Sequence, residues 1–382
     1  MRILILDITG RNSEQYNPSL CKALSKVAHK DKVVLMAPTC YNVSEDFEYK
    51  RLCRLVPLSQ TLSTSKTKRL IRALEALINY VRVFFYILYH KVAVLHFQWL
   101  VFVDYTTIES TFMKLFRLVR PKIKIYLTVH NIFPHDLTES EITNYKRRFL
   151  EIGRNIDGFI VHLESAKDEF VSSYGISPQK VFVAYHGIYV ADNYKVKKRI
   201  KDEKTVNIIL FGTQTQYKGA DIFLEALHLM PELYKNRINA MIIGSTPSDY
   251  YNKFKDKARA LGVKWINKFV SDEELYEAIG KSDLILLPYR KISQSGALLL
   301  SLSYKKPILT SRLPSFVETM KGYPSDYFFE PDDPNSLAEK IIDYINGKID
   351  TDKMCNVIEK LNLIYSWEES ANMTLDSYGI RK

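Results

Sequence analysis

Two series of short apolar runs alternate with amphipathic stretches along this chain, and that alternation limits the folds open to it. The first series runs through residues 3–7, 33–36, 92–97, 123–129 and 158–162, and the second through 206–211, 240–244, 265–270, 284–287 and 307–309. Helical periodicity fills the gaps at 20–28, 64–91, 167–174 and 221–230, and Ser271 with Glu274 forms a capping box before another helix. Ser165 is the expected N-cap of the 167–174 helix. Uninterrupted apolar runs mark strands covered on both faces, and strand–helix alternation supplies the crossovers that parallel strands require. The expected fold is therefore α/β, with two Rossmann-like domains. Between the series, ADNYKVKKRIKDEKT is polar and aperiodic, which marks a linker at 189–204 and domains at 1–188 and 205–365.

A chain of 382 residues holds two such domains, and 46% hydrophobic with 25% charged residues describes a soluble globular protein. The first run is too short for a secretory signal and reads as a buried strand. The most hydrophobic stretch, VFFYILY at 83–89, lies between Arg82 and His90, so no spanning helix is expected. Cys21, Cys40, Cys53 and Cys355 lack metal-ligand spacing and read as reduced structural thiols of a cytoplasmic protein. A formal charge of +11 favours anionic ligands or surfaces. The Lys and Arg residues are dispersed, with no zinc-finger, KH or RNP pattern, so no nucleic-acid partner is expected.

Chemistry concentrates at 282–318, SDLILLPYRKISQSGALLLSLSYKKPILTSRLPSFVE. This is strand, polar loop, helix and strand, with Arg290, Lys291, Gln294, Ser295 and Gly296 in the loop. Open parallel sheets take their ligands at the carboxyl ends of strands. With no side chain at Gly296, backbone N–H groups at the helix start can face an anion beside Arg290. A phosphate or diphosphate pocket follows. The opening loop ITGRNSEQYNP has no GxGxxG, so dinucleotide binding has no support there.

The segment LPYRKISQSGALLLSLSYKKPIL, the loop FGTQTQYKGAD and the strand endings THN (128–131 read TVHN) and HFQW resemble GT-B glycosyltransferases of the family 4 (group 1) type. That resemblance implies two Rossmann-like domains facing each other across a cleft, with a helix at 366–382 crossing back to the first domain. It implies an N-terminal acceptor-binding domain, with Gly10 and Asn12 facing the acceptor and Trp99 stacking on a sugar. The C-terminal domain would bind a nucleotide sugar through Gly212, Lys218, Phe269, Arg290, Gln294, Ser295 and Gly296, with Glu318 approaching the same donor. His130, Lys218 and Arg290 would be catalytic. The implied reaction is retaining, metal-independent hexosyl transfer to a hydroxyl of a glycan or lipid-linked glycan, in polysaccharide or glycoconjugate biosynthesis. The donor is a co-substrate, and no cofactor or metal is implied.

Two departures stand out. Thr213 occupies the place where the family usually has arginine, and Arg290 is expected to replace it in space. The Glu-x7-Glu signature is missing, with Ile292 and Leu300 at its positions, which puts the ribose contact in question. A GT-B protein that binds nucleotide or glycan without turnover is the alternative. The helix at 64–91 carries Lys66, Lys68, Arg69, Arg72 and Arg82 beside a periodic apolar face. It is read either as a helix packed on the sheet or as contact with an anionic membrane surface, peripheral on the inner face of the cell membrane.

Overall fold

The structure, a computed structural model, describes residues 1–10, 15–28, 31–39, 43–55, 66–134, 138–189 and 205–380. It divides into one unit of Met1–Gly187 with Tyr365–Lys382 and a second of Ile188–Ile364. Of the expected linker, residues 190–204 lie outside the described residues.

The first unit holds a seven-stranded parallel sheet. Its strands are β1 (Arg2–Leu6), β2 (Lys32–Ala37), β3 (Glu48–Arg51), β4 (Val92–Phe97), β5 (Lys124–Thr128), β6 (Gly158–Val161) and β7 (Val181–Val183). Their order is β3-β2-β1-β4-β5-β6-β7. Side-chain alternation decides what each face meets. Leu4 and Leu6 of β1 enter one apolar layer with Tyr80, Val83 and Phe116, while Ile3 and Ile5 enter the other with Leu20, Leu24 and Leu375. Helices Lys66–Tyr89, Ile108–Val119, Glu139–Gly153 and Glu164–Tyr174 build the first layer, and Tyr16–Val27 with Trp367–Ser377 builds the second.

The second unit holds a six-stranded parallel sheet of β8 (Val206–Phe211), β9 (Ile238–Ile243), β10 (Lys264–Ile266), β11 (Leu284–Leu287), β12 (Ile308–Ser311) and β13 (Phe328–Phe329). Its order, β10-β9-β8-β11-β12-β13, reverses direction between β8 and β11. That reversal opens a crevice at the carboxyl ends of those two strands.

Several local expectations shift. The run at 265–270 is strand only to Ile266, because the Thr246 N–H donates to the Asn267 side chain at 2.8 Å and the chain leaves the sheet. Ser165 is not the N-cap. Its helix starts at Glu164, with Leu163 in the extended capping position. The helix expected at 366–382 spans Trp367–Ser377, started by Ser366 accepting the Glu369 N–H, and a separate helix, Thr351–Ile364, precedes it. Ser271 and Glu274 do form a capping box.

One buried carboxylate makes the first unit pH-sensitive. Glu109 accepts the Phe102 N–H at 2.6 Å, and burial pushes its carboxyl up to about 7. The folded state therefore keeps a proton that the unfolded chain releases near 4.5, and the contribution of Glu109 to stability falls as pH rises between those values. Glu109→Gln should gain on the order of 2 kcal/mol over the parent at pH 8 and nothing near pH 4.5. Thermal melts at both pH values check this; a pH-independent difference would refute it.

Candidate functional site

In the second unit, β8 and β11 lie side by side, with Leu284 opposite Ile208. The loop after β8 begins at Gly212, whose φ of 91° is open to glycine, and ends at Gly219, with φ 72°. A Cβ on Gly219 would overlap the carbonyl oxygen of Pro288, so only glycine lets this loop meet the one after β11. Arg290 then joins the two. Its N–H donates to Tyr217 O and its Nη1 to Gln216 O, both at 2.7 Å.

The Lys218 ammonium rests over the Tyr289 ring, 5.4 Å from its centroid, and a Cβ on Gly212 would stand 3.0 Å from its Nζ. Lys218 has no carboxylate partner among the described residues. Burial holds its pKa below the ordinary lysine value. Beside it, the buried side-chain oxygens of Gln214, Thr215 and Gln294 lack hydrogen-bond partners among the described residues. Ser295 caps helix Gly296–Ser303 by accepting the Leu298 N–H at 3.1 Å, and the space around Gly296 is open. A half-buried cation, unsatisfied polar atoms and a helix that starts at an open glycine can hold an anion.

Arg290, expected to offer its charge to a diphosphate, turns it elsewhere. Its guanidinium grips Asp221 with two hydrogen bonds of 2.9 Å and reaches Asp332 at 2.8 Å. Burial alone would raise the Asp221 carboxyl; hydrogen bonds from Arg290 and Tyr250 outweigh it and hold it below the usual range. The lysine loop and the Ser-Gly loop are thus braced together.

In the first unit, the crevice falls between β1 and β4. Asp7 ends β1 fully buried, accepting N–H bonds from Thr9 and Gly10 and the Asn17 amide. Four histidines follow the strand ends in sequence: His96 on β4, His130 after β5, His162 after β6 and His186 after β7. Tyr16 sits among three of them, 4.9 Å from His130, 5.7 Å from His162 and 4.8 Å from His186 between ring centroids. Burial lowers all four, to about 3 for His96 and His186 and about 4 for His162, so the rings are neutral at physiological pH.

Neutral rings fix the direction of the chain they form. His162 Nδ1–H donates to Ala184 O at 2.9 Å, so its Nε2 accepts from His130 Nδ1–H at 3.4 Å. His130 Nε2 is then an acceptor, 3.2 Å from the Gln98 amide terminus. Trp99 stacks on His130 with centroids 4.8 Å apart and planes 20° apart, which occupies one face of the indole.

Residues 13–192 match the family described as Glycosyltransferase Family 4, and residues 205–346 match Glycosyl transferases group 1. The chain belongs to these glycosyltransferase families. A GDP-mannose:glycolipid 4-beta-D-mannosyltransferase of Xanthomonas campestris pv. campestris is 26% identical over 104 residues. That stretch is 27% of this chain and spans 29% of the relative's length. Among solved structures, the Anabaena protein Alr3699/HepE in complex with UDP and glucose has TM-score 0.66 at 14% identity, covering 99% of both chains. Sucrose-phosphate synthase from Thermosynechococcus elongatus has TM-score 0.68 at 13% identity, covering 99% of this chain and 98% of that one. These likenesses give the glycosyltransferase the GT-B fold of two Rossmann-like domains.

Within this glycosyltransferase, the structure gathers Gly212, Lys218, Arg290, Gln294, Ser295 and Gly296 at one crevice of the second unit. Glu318 lies in helix Pro314–Thr319 after β12. Phe269 stands 89% exposed in the loop after β10. In the first unit, His130 and Trp99 are stacked together, and Gly10 is buried with its N–H on Asp7. Asn12 lies outside the described residues. Sequence reading passed over Gln214, Asp221, Asp7 and the pair His162 and His186. The recurrence of histidine after successive apolar runs was the available signal for the last two. Nothing in the local pattern around Gln214 or Asp221 told that the first is buried or that the second meets a residue 69 positions away.

Proposed function

We propose that this chain transfers a hexosyl group from a nucleotide sugar to a hydroxyl of a glycan or lipid-linked glycan, with retention at the anomeric carbon. The observation that carries this reading is the Lys218 ammonium, half-buried with no carboxylate partner among the described residues, beside bare Gly212 at the end of β8. Such a cation stabilises charge that develops on a departing diphosphate. The UDP in the complex of the Anabaena structure and the GDP-mannose in the name of the Xanthomonas relative support a nucleoside diphosphate leaving group. The glycolipid in that relative's name supports a lipid-linked acceptor and a role in polysaccharide or glycoconjugate assembly beside a membrane.

In this reading the bond from the anomeric carbon to the donor phosphate oxygen breaks, and the acceptor oxygen bonds to that carbon on the same face. The acceptor proton passes to the departing phosphate oxygen. Lys218, the Gly296 end of its helix and Gln294 hold the diphosphate, with no resident metal required. Phe269 and Glu318 serve the nucleoside, and Arg290 keeps the two loops in register. His130, Trp99 and the Gly10 loop serve the sugars in the first unit.

A thermal-shift series with nucleoside diphosphates and their sugars, followed by a transfer assay with the stabilising donor, tests this. A matching donor at about a hundred times its Kd adds roughly 2.7 kcal/mol to the folded state. If no nucleoside diphosphate sugar raises Tm, the reading fails. If a donor binds but is neither hydrolysed nor transferred, the chain is a binding protein without turnover.

A further inference from the structure

Helix Lys66–Tyr89 has two apolar faces, and the fold uses one of them. Ala76, Tyr80, Val83 and Ile87 are buried in the core. On the other side Leu70, Leu74, Val81, Phe85 and Leu88 are exposed, with Leu74 at 53% and Phe85 at 48%. At 3.6 residues per turn, these exposed positions fall within an arc of about 60° that Ile71, Ile78 and Tyr89 widen to about 100°. Leu115 and Leu118 add exposed apolar surface on the neighbouring helix Ile108–Val119. Contiguous exposure of this kind marks an interaction surface.

The charges around it are mostly positive, with Glu48 and Asp157 as paired carboxylates. The only acidic residues on these two helices are Glu75 and Glu109, and both are buried. Arg82 and Lys114 are basic residues of their described parts, Arg117 pairs with Asp157 at 2.8 Å, and Lys66, Lys68, Arg69 and Arg72 stand in the helix sequence. At the carboxyl end of the apolar stripe lies a cavity of about 300 Å³ lined by Lys50, Arg51 and Arg82 with Phe85, Tyr86 and Tyr89. Lys50 pairs with Glu48, and Arg82 donates to the Arg51 carbonyl at 3.2 Å. Arg51 and Arg82 have no carboxylate partner among the described residues.

We infer that this face docks on an anionic phospholipid leaflet, with the apolar stripe in the acyl boundary and the Arg51–Arg82 cavity receiving a lipid phosphate. Acyl chains match the stripe, and anionic headgroups match the cations that flank it, each contributing attraction that salt screens. A second copy of this chain would set like charges against each other. Among the described residues no helix is long and apolar enough to cross a membrane, so the contact is peripheral. This surface stands independently of the transfer chemistry proposed above.

Flotation of the full chain with phosphatidylcholine vesicles, with and without phosphatidylglycerol, tests the inference. Binding should require phosphatidylglycerol and weaken as salt is raised. Leu74→Glu and Phe85→Glu should each lower partitioning roughly tenfold or more, and Arg82→Glu should do so while leaving the apolar stripe intact. All three side chains are exposed, so Tm should hold. Absence of binding at low salt, or binding that survives all three substitutions, overturns the inference. So does a dimer in light scattering that Leu74→Glu dissociates while vesicles stay unbound.

Discussion

Lys218→Ala should lower kcat with the natural donor by roughly 10²–10³-fold while Tm stays level or rises slightly. The loss amounts to about 3–4 kcal/mol of transition-state stabilisation, the scale of removing one preorganised charge from a site where charge develops. The stability expectation runs the other way because the ammonium costs the resting protein free energy. Burial lowers its pKa, and among the described residues it rests against the face of Tyr289 with no carboxylate partner. A leaving diphosphate would supply the missing counter-charge. The same physics predicts an alkaline limb in kcat/KM for the free enzyme below the ordinary lysine value of 10.5. Steady-state kinetics and a melt on one preparation check both halves. An unchanged kcat would remove Lys218 from the chemistry, and a large drop in Tm would recast it as structural.

Arg290→Ala should cost about 3 kcal/mol of stability in the second unit, the low end for breaking a buried ion pair because the arginine side chain is a quarter exposed. It would strand Asp221, which is 19% exposed, and release the Gln216 carbonyl. Arg290→Lys should recover only part of this, since a point ammonium cannot reproduce the two-pronged contact. Removing Asp221 together with Arg290 should cost less than the two single losses combined. Asp221 is held below 3.8, so the brace is complete above that value and is lost only as pH falls through its lowered pKa. Calorimetry with donor titration discriminates the roles. A direct diphosphate contact would leave Tm unchanged and raise the donor KM, and that pattern would reject the brace.

The contrast between these two cations shows how far the residues could be read in a line. Lys218 and Arg290 look alike in sequence: each is a basic residue in a polar loop at the end of an apolar run. Their difference lies in what the fold brings near them. Arg290 meets Asp221 and Asp332, which are far away in the chain, whereas Lys218 meets an aromatic face and bare backbone. The helix at 64–91 gives a second case. Its apolar positions were visible, but periodicity cannot tell a single buried stripe from two opposed ones. Packing against the sheet through Tyr80, Val83 and Ile87 leaves Leu74 and Phe85 outside.

The sequence by itself determined the parallel α/β layers, the place of the strand ends and the residue types available there. Those follow from hydrophobic period and turn chemistry, which are local. Tertiary structure decided which charges cancel, which rings stay neutral and which apolar face is left uncovered. Each of these depends on distances and burial between residues remote in the chain: His130 meets His162, and reaches His96 through Gln98, only when β4, β5 and β6 lie side by side.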